Sequence, residues 1–129
     1  MIIIDTHIWI WLISDPEKLS ERAVSAIEYS KIIGVCPISC WEISTKVTNG
    51  KLSLDRNIDV WVQQALARPR IKLIDMSAEI AVLAGKLGNE GLHGGPADRL
   101  IVATAIHHGA DLVSKDRAIR SFSKVHSIW

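Results

Sequence analysis

The chain opens Met1-Ile2-Ile3-Ile4-Asp5, and no other stretch restricts its possible folds as tightly. A run of β-branched apolar residues without polar alternation does not suit a strand that is wet on one face. It reads as a strand buried on both faces, which is the habit of parallel sheets covered by helices. The run stops on a carboxylate, so Asp5 is delivered to the carboxyl edge of the sheet. In open α/β folds that edge binds the ligand.

The remaining chain alternates in kind. His7 to Ile13 reads as a short helix, apolar almost all round and ended by Asp15-Pro16. Ser20 to Lys31 is a second helix with Ala23, Val24 and Ile27 inward. Ile32 to Cys36 is a second strand, closed by Pro37, after which Ser39 is placed to cap a third helix that reaches Thr48 and stops at Asn49-Gly50. Asp55 to Asn57 opens a fourth helix that ends before Pro69; Ile71 to Ile74 is a third strand, and Ser77 caps a fifth helix. Gly88 to Pro96 holds half of the chain's 8 glycines and reads as a mobile loop. Pro96 starts a sixth, strongly apolar helix that ends at Gly109. Asp111 to Ser114 is a fourth strand, Asp116 to Arg120 a helical turn, and Lys124 to Ile128 a short fifth strand. Right-handed crossovers then make a three-layer α/β/α sandwich around a parallel sheet of about five strands.

The totals exclude several classes. A length of 129 residues suits a single domain over 1–129, and 48% apolar residues rule out a disordered chain. Net charge is +1, so contact with an anionic polymer needs a local patch or a bound cation. The longest apolar run, Ile8 to Ile13, is far too short to span a bilayer, and no basic segment precedes an apolar leader. The expected location is the cytoplasm, where Cys36 and Cys40 stay a reduced pair.

Of 14 acidic residues, most sit on polar helix faces or in loops where solvation accounts for them. Asp5, Glu42, Asp98 and Asp116 instead follow strands or open helices at the carboxyl edge. Each has a local explanation. Asp5 suits an N-cap, Glu42 stands three after Ser39 as in a capping box, Asp98 suits a helix's first turn, and Asp116 suits a cap before Ile119. Together, however, they crowd like charges around one crevice, where repulsion raises their pKa values and destabilises the fold. A divalent cation removes that penalty. An all-oxygen donor set points to Mg²⁺ or Mn²⁺ held by Asp5, Asp98 and Asp116, and such an ion suits phosphodiester hydrolysis.

These residues also resemble a family. Asp5-Thr6-His7, Ser39-Cys40-Trp41-Glu42-Ile43, the run Pro96-Ala97-Asp98-Arg99-Leu100-Ile101-Val102-Ala103-Thr104-Ala105, and Leu112-Val113-Ser114-Lys115-Asp116 are closely similar to the PIN domain. Within that family the chain looks like the VapC-type toxins, and the likeness spans its whole length in one order. The resemblance implies a Mg²⁺/Mn²⁺-dependent endoribonuclease with an RNA substrate, a cognate antitoxin, and a homodimer. It implies a catalytic quartet of Asp5, Glu42, Asp98 and Asp116, supported by Thr6 and by the hydroxyl of Ser114. One departure is Gly95, where many relatives carry an Asp; if that carboxylate tunes metal affinity, its loss implies weaker ion binding.

Around these acids, Arg99, Lys115 and Arg117 are candidates for RNA contact. Lys46 is either an ion-pair partner of Glu42 or a phosphate ligand. Arg68, Arg70 and Lys72 read as a solvated face, the five histidines as surface or loop residues, and Trp41 and Trp61 as core. The all-round apolar helix from His7 to Ile13 exceeds what one sheet face can bury. An antitoxin groove at Trp9 and Trp11 is therefore expected. A rival reading, a phospho-accepting receiver domain using Asp75 and Lys115, has against it the single acid at the end of the first strand. It also meets two helices between the second and third strands. A catalytically silent PIN-type binding module is disfavoured by the presence of all four acids.

Overall fold

A computed structural model describes residues 1–129. Strand β1 (Ile2–Ile4) leads into helix α1 (Thr6–Ser14), and α2 (Glu21–Tyr29) leads into β2 (Ile33–Val35). Two helices, α3 (Pro37–Thr48) and α4 (Ile58–Leu66), precede β3 (Ile71–Leu73). Helices α5 (Ala78–Leu87) and α6 (Pro96–His107) precede β4 (Asp111–Val113), and α7 (Arg117–Arg120) precedes β5 (Ser127–Ile128). All pairings are parallel, in the order β3-β2-β1-β4-β5. The three-layer sandwich read from the isoleucine run is present. A receiver domain has the order 2-1-3-4-5, so that rival fails on topology. Asp75 follows the edge strand β3, two strands from Asp5.

The opening run works by its period of two. Ile2 and Ile4 enter a core with Ile8, Trp9, Ile43 and Trp61, while Ile3 enters the opposite core with Ile101, Val102 and Leu112. β1 therefore lies at the centre with both faces dry. Trp61 and Trp9 meet in a T-shaped contact at 5.2 Å between ring centroids, so Trp61 is core as expected.

Several local readings change. Pro37 starts α3 behind Cys36, and Ser39 lies buried inside the helix instead of capping it. The segment from Gly88 to Pro96 is not all loop: Gly88–Glu90 forms a 3-10 turn, and Leu92 is 1% exposed in the core. Arg70 is not merely solvated. Its backbone is left-handed (φ 70°), and its guanidinium donates to the carbonyls of Ile27, Glu28 and Ser30 at the end of α2. A side chain thus meets the unpaired carbonyls that every helix terminus leaves. Trp41 is 61% exposed rather than core, and Trp9 is 0% exposed, so it cannot line a groove. Trp11 is half-buried.

At the sheet centre, β2 approaches β1 over Gly34. A Cβ there would stand 2.7 Å from Ile3 Cδ1 and 2.8 Å from Ile74 Cγ1. Overpacking of this kind costs about 1–3 kcal/mol. We expect Gly34→Ala to lower the denaturant midpoint by that amount with an unchanged slope; a neutral midpoint would mean that the sheet and Ile74 separate freely here.

Candidate active site

β1 ends by carrying Asp5 into the interior, where it is 2% exposed. A buried carboxylate needs donors, and it has them. One oxygen accepts the Thr6 amide at 2.8 Å and the other accepts the Ser114 hydroxyl at 2.6 Å. Ser114 follows β4, and its oxygen in turn accepts the Asp116 amide at 3.0 Å. One hydroxyl therefore ties the first acid to the last. Asp116 also caps α7, accepting the Ile119 amide at 3.0 Å, so its local role and its place at the site coexist.

The Thr6 hydroxyl crosses to α3. It donates to Glu42 Oε1 at 2.5 Å and lies 2.8 Å from Ser39 Oγ. A hydroxyl has one proton, so Ser39 must donate to Thr6. The chain Ser39 to Thr6 to Glu42 replaces the capping box, and Glu42 and Lys46 form no ion pair.

Asp98 opens α6 behind Pro96 and accepts no hydrogen bond. Burial pushes its carboxyl up from 3.8 to about 6, helped by the charges of Asp5, Asp116 and Glu42 and opposed by Lys46. Asp98 therefore lies within electrostatic reach of the other three acids expected at the crevice and of Lys46. The loop before α6 leaves no spare room: a Cβ on Gly94 would stand 2.8 Å from Asp98 Oδ2. As folded, no group of three or more His, Cys, Asp and Glu side chains draws tightly enough together to enclose an ion. Hydrogen bonds hold Asp5 and Glu42 where they stand. The donor set still fits a hard divalent cation: all its atoms are oxygens, and the half-buried Asp98 is left unpaired among three further acids.

The other candidates divide. Arg99 lays its guanidinium against Gly88, at the far end of α5, and is not among the charges that act on Asp98. Lys115 and Arg117 are exposed at the carboxyl edge, one on each side of Asp116. His7, read as a surface residue, was missed. Its Nε2 accepts the Lys115 amide at 3.2 Å, so Nδ1 carries the proton and faces Asp5 Oδ2 at 3.5 Å. Its position two residues after Asp5, at the start of a helix, was the available signal. Cys36 is buried and pushed up to about 11 by burial, an inert thiol.

A family model described as PIN domain matches residues 2–125. Ribonuclease VapC22 of Mycobacterium tuberculosis is 34% identical over 120 residues, 93% of this chain and 90% of that protein. Among solved structures, VapBC2 from Rickettsia felis bound to a promoter DNA fragment matches with a TM-score of 0.69 at 22% identity, covering 98% of this chain and 97% of that one. VapBC-1 from nontypeable Haemophilus influenzae matches with a TM-score of 0.71 at 16% identity, covering 98% and 96%. At such identities the structural likeness speaks for the fold.

Asp98 also makes stability depend on pH. A carboxyl whose folded pKa is raised stabilises the protein below its unfolded value and loses that contribution as pH rises through the folded value. Without metal, wild type should lose stability relative to Asp98→Asn between about pH 4 and about pH 6. Thermal midpoints in chelator across this range test it. A variant that melts clearly lower at pH 7 would make Asp98 a helix cap and not a repelled charge.

Proposed function

The chain belongs to the PIN domain family, and from that premise we propose that it is a metal-dependent endoribonuclease that hydrolyses RNA phosphodiester bonds as the toxin of a toxin–antitoxin pair. The observation that carries this reading is geometric: buried Asp5 is tied through the Ser114 hydroxyl to Asp116 and through Thr6 to Glu42, which gathers these acids at one crevice with the unpaired Asp98 beside them. Such crowding costs stability and is tolerated where a bound cation repays it. The ribonuclease relative supports the reaction class, and the toxin–antitoxin complexes among the structural neighbours support the partner.

In this reading Asp5, Asp98 and Asp116 would hold Mg²⁺ or Mn²⁺, with Glu42 as the fourth acid beside them. When bound, such an ion lowers the pKa of a ligated water and offsets charge developing on the phosphodiester. The chain's own groups do the positioning. The Ser114 hydroxyl and the Thr6 amide each occupy one lone pair of Asp5, which leaves capacity on both oxygens and fixes their direction. Thr6 holds Glu42 in the same way. The exposed Lys46 ammonium, already acting on Asp98, is placed to neutralise a substrate phosphate. No helix is long and apolar enough to cross a membrane.

The partner antitoxin docks on the outer face of α1. Trp9 is excluded by its burial, which leaves the half-buried Ile10, Trp11, Leu12 and Ile13. A homodimer belongs to the same reading, and α5 leaves Val82 58% exposed on its outer side.

Cleavage of total RNA with Mn²⁺ tests the enzyme. Changing a residue that only orients a metal ligand typically costs 10–100-fold, so Ser114→Ala should lose about that much and Asp98→Asn more than about a hundredfold. Glu42→Gln should be milder. Undiminished cleavage by folded Asp98→Asn would end the proposal. For the partner, Trp11→Ala should weaken the antitoxin complex about thirtyfold, as truncation of a buried aromatic anchor does. An unchanged dissociation constant would move the docking face off α1.

A further inference from the structure

Beside the acids stands a cation without a carboxylate. Lys115 lies between Ser114, which binds Asp5, and Asp116, yet it forms no ion pair. Two indoles hold it instead: its ammonium sits 5.8 Å from the ring centroid of Trp11 and 5.7 Å from that of Trp129. The ring centroids of the two tryptophans lie 5.9 Å apart, and His7 makes a T-shaped contact with Trp11 at 5.1 Å. The Lys115 amide is bound to His7, so its backbone is fixed as well. Lys18 lies 6.0 Å from the same Trp11 ring, so a second cation flanks the platform.

Aromatic faces attract an ammonium but do not neutralise it, and its three protons remain free for an anion. The result is an oriented positive charge flanked by half-buried flat rings, continuous with the acidic site. A phosphate and a base joined in one ligand match that combination, and this is how single-stranded nucleic acid is held without sequence readout. We propose that Lys115, Trp11 and Trp129 form a subsite for the RNA strand, Lys115 taking the phosphate next to the scissile one and Trp129 stacking on a base. The inference rests on the endoribonuclease reading and adds where the substrate runs: along the carboxyl ends of β1 and β4 toward α1. An antitoxin on Trp11 would then cover the subsite.

The test uses a labelled single-stranded oligoribonucleotide of mixed sequence, with KM from cleavage and Kd from fluorescence anisotropy in the Asp98→Asn background. Lys115→Met should raise both about tenfold and leave kcat within about twofold. One lost phosphate contact on a single strand should also flatten the slope of log K against log salt by about 0.7. Lys115→Arg keeps the charge and the aromatic contacts and should restore both values, which a purely structural role would not require. Trp129→Leu should weaken binding by a similar factor with the salt slope unchanged. If wild type neither binds nor cleaves the probe, the endoribonuclease reading falls and takes the subsite with it. If wild type cleaves while Lys115→Met matches it in KM, Kd and salt slope, the subsite alone is overturned. Weakened antitoxin binding with unchanged RNA affinity would overturn it too, by assigning the cluster to protein docking.

Discussion

The charge of Asp5 at the end of the central strand sets the terms for the rest of the molecule. At 2% exposure an ionised carboxylate is tolerable only with donors on its oxygens, and water cannot supply them. The Thr6 amide and the Ser114 hydroxyl do so, from the start of α1 and the end of β4. Meeting that demand pins two elements far apart in sequence to one point. The bonds continue outward. Ser114 accepts the Asp116 amide, and Thr6 takes a proton from Ser39 and gives one to Glu42. Two further acids are thereby held at the crevice by bonds that begin at the first.

Asp98 stands outside this network. It accepts no donor, lies among the other three charges, and clings to its proton up to about pH 6. The fold thus holds one part of its carboxyl edge tightly satisfied and another frustrated. Such local frustration must be offset elsewhere, and here the two apolar cores around Ile2, Ile3 and Ile4 do so. Gly94 leaves space where a Cβ would strike the Asp98 carboxylate.

The sheet, the order of its elements and the positions of the four acids were legible because each rests on local pattern: a run, a period, a cap. What the sequence concealed depends on distant partners. Ser39 reads as a cap because its spacing to Glu42 suits one, but Thr6, 33 residues earlier, claims its hydroxyl. Arg70 reads as surface charge, yet the carbonyls that it caps lie some 40 residues back. Trp41 and Trp61 cannot be distinguished by residue type. One is core and the other is exposed, since α3 already buries Ile43 on the side that faces the sheet. His7 acquires meaning only when β4 brings the Lys115 amide beside it.

The same dependence explains helix α1, whose apolar residues exceed what one sheet face can take. Its inner face places Trp9 against Trp61 with no exposure. Its outer face is not left bare: Trp129 packs on Trp11, and Lys18 and Lys115 lie over the same indole. That cover is thin and cationic, and it shares residues with the acidic edge through His7 and Lys115. A surface built this way is neither core nor ordinary solvent face. A ligand bound on this face would lie against His7 and Lys115, the side chains that link it to Asp5.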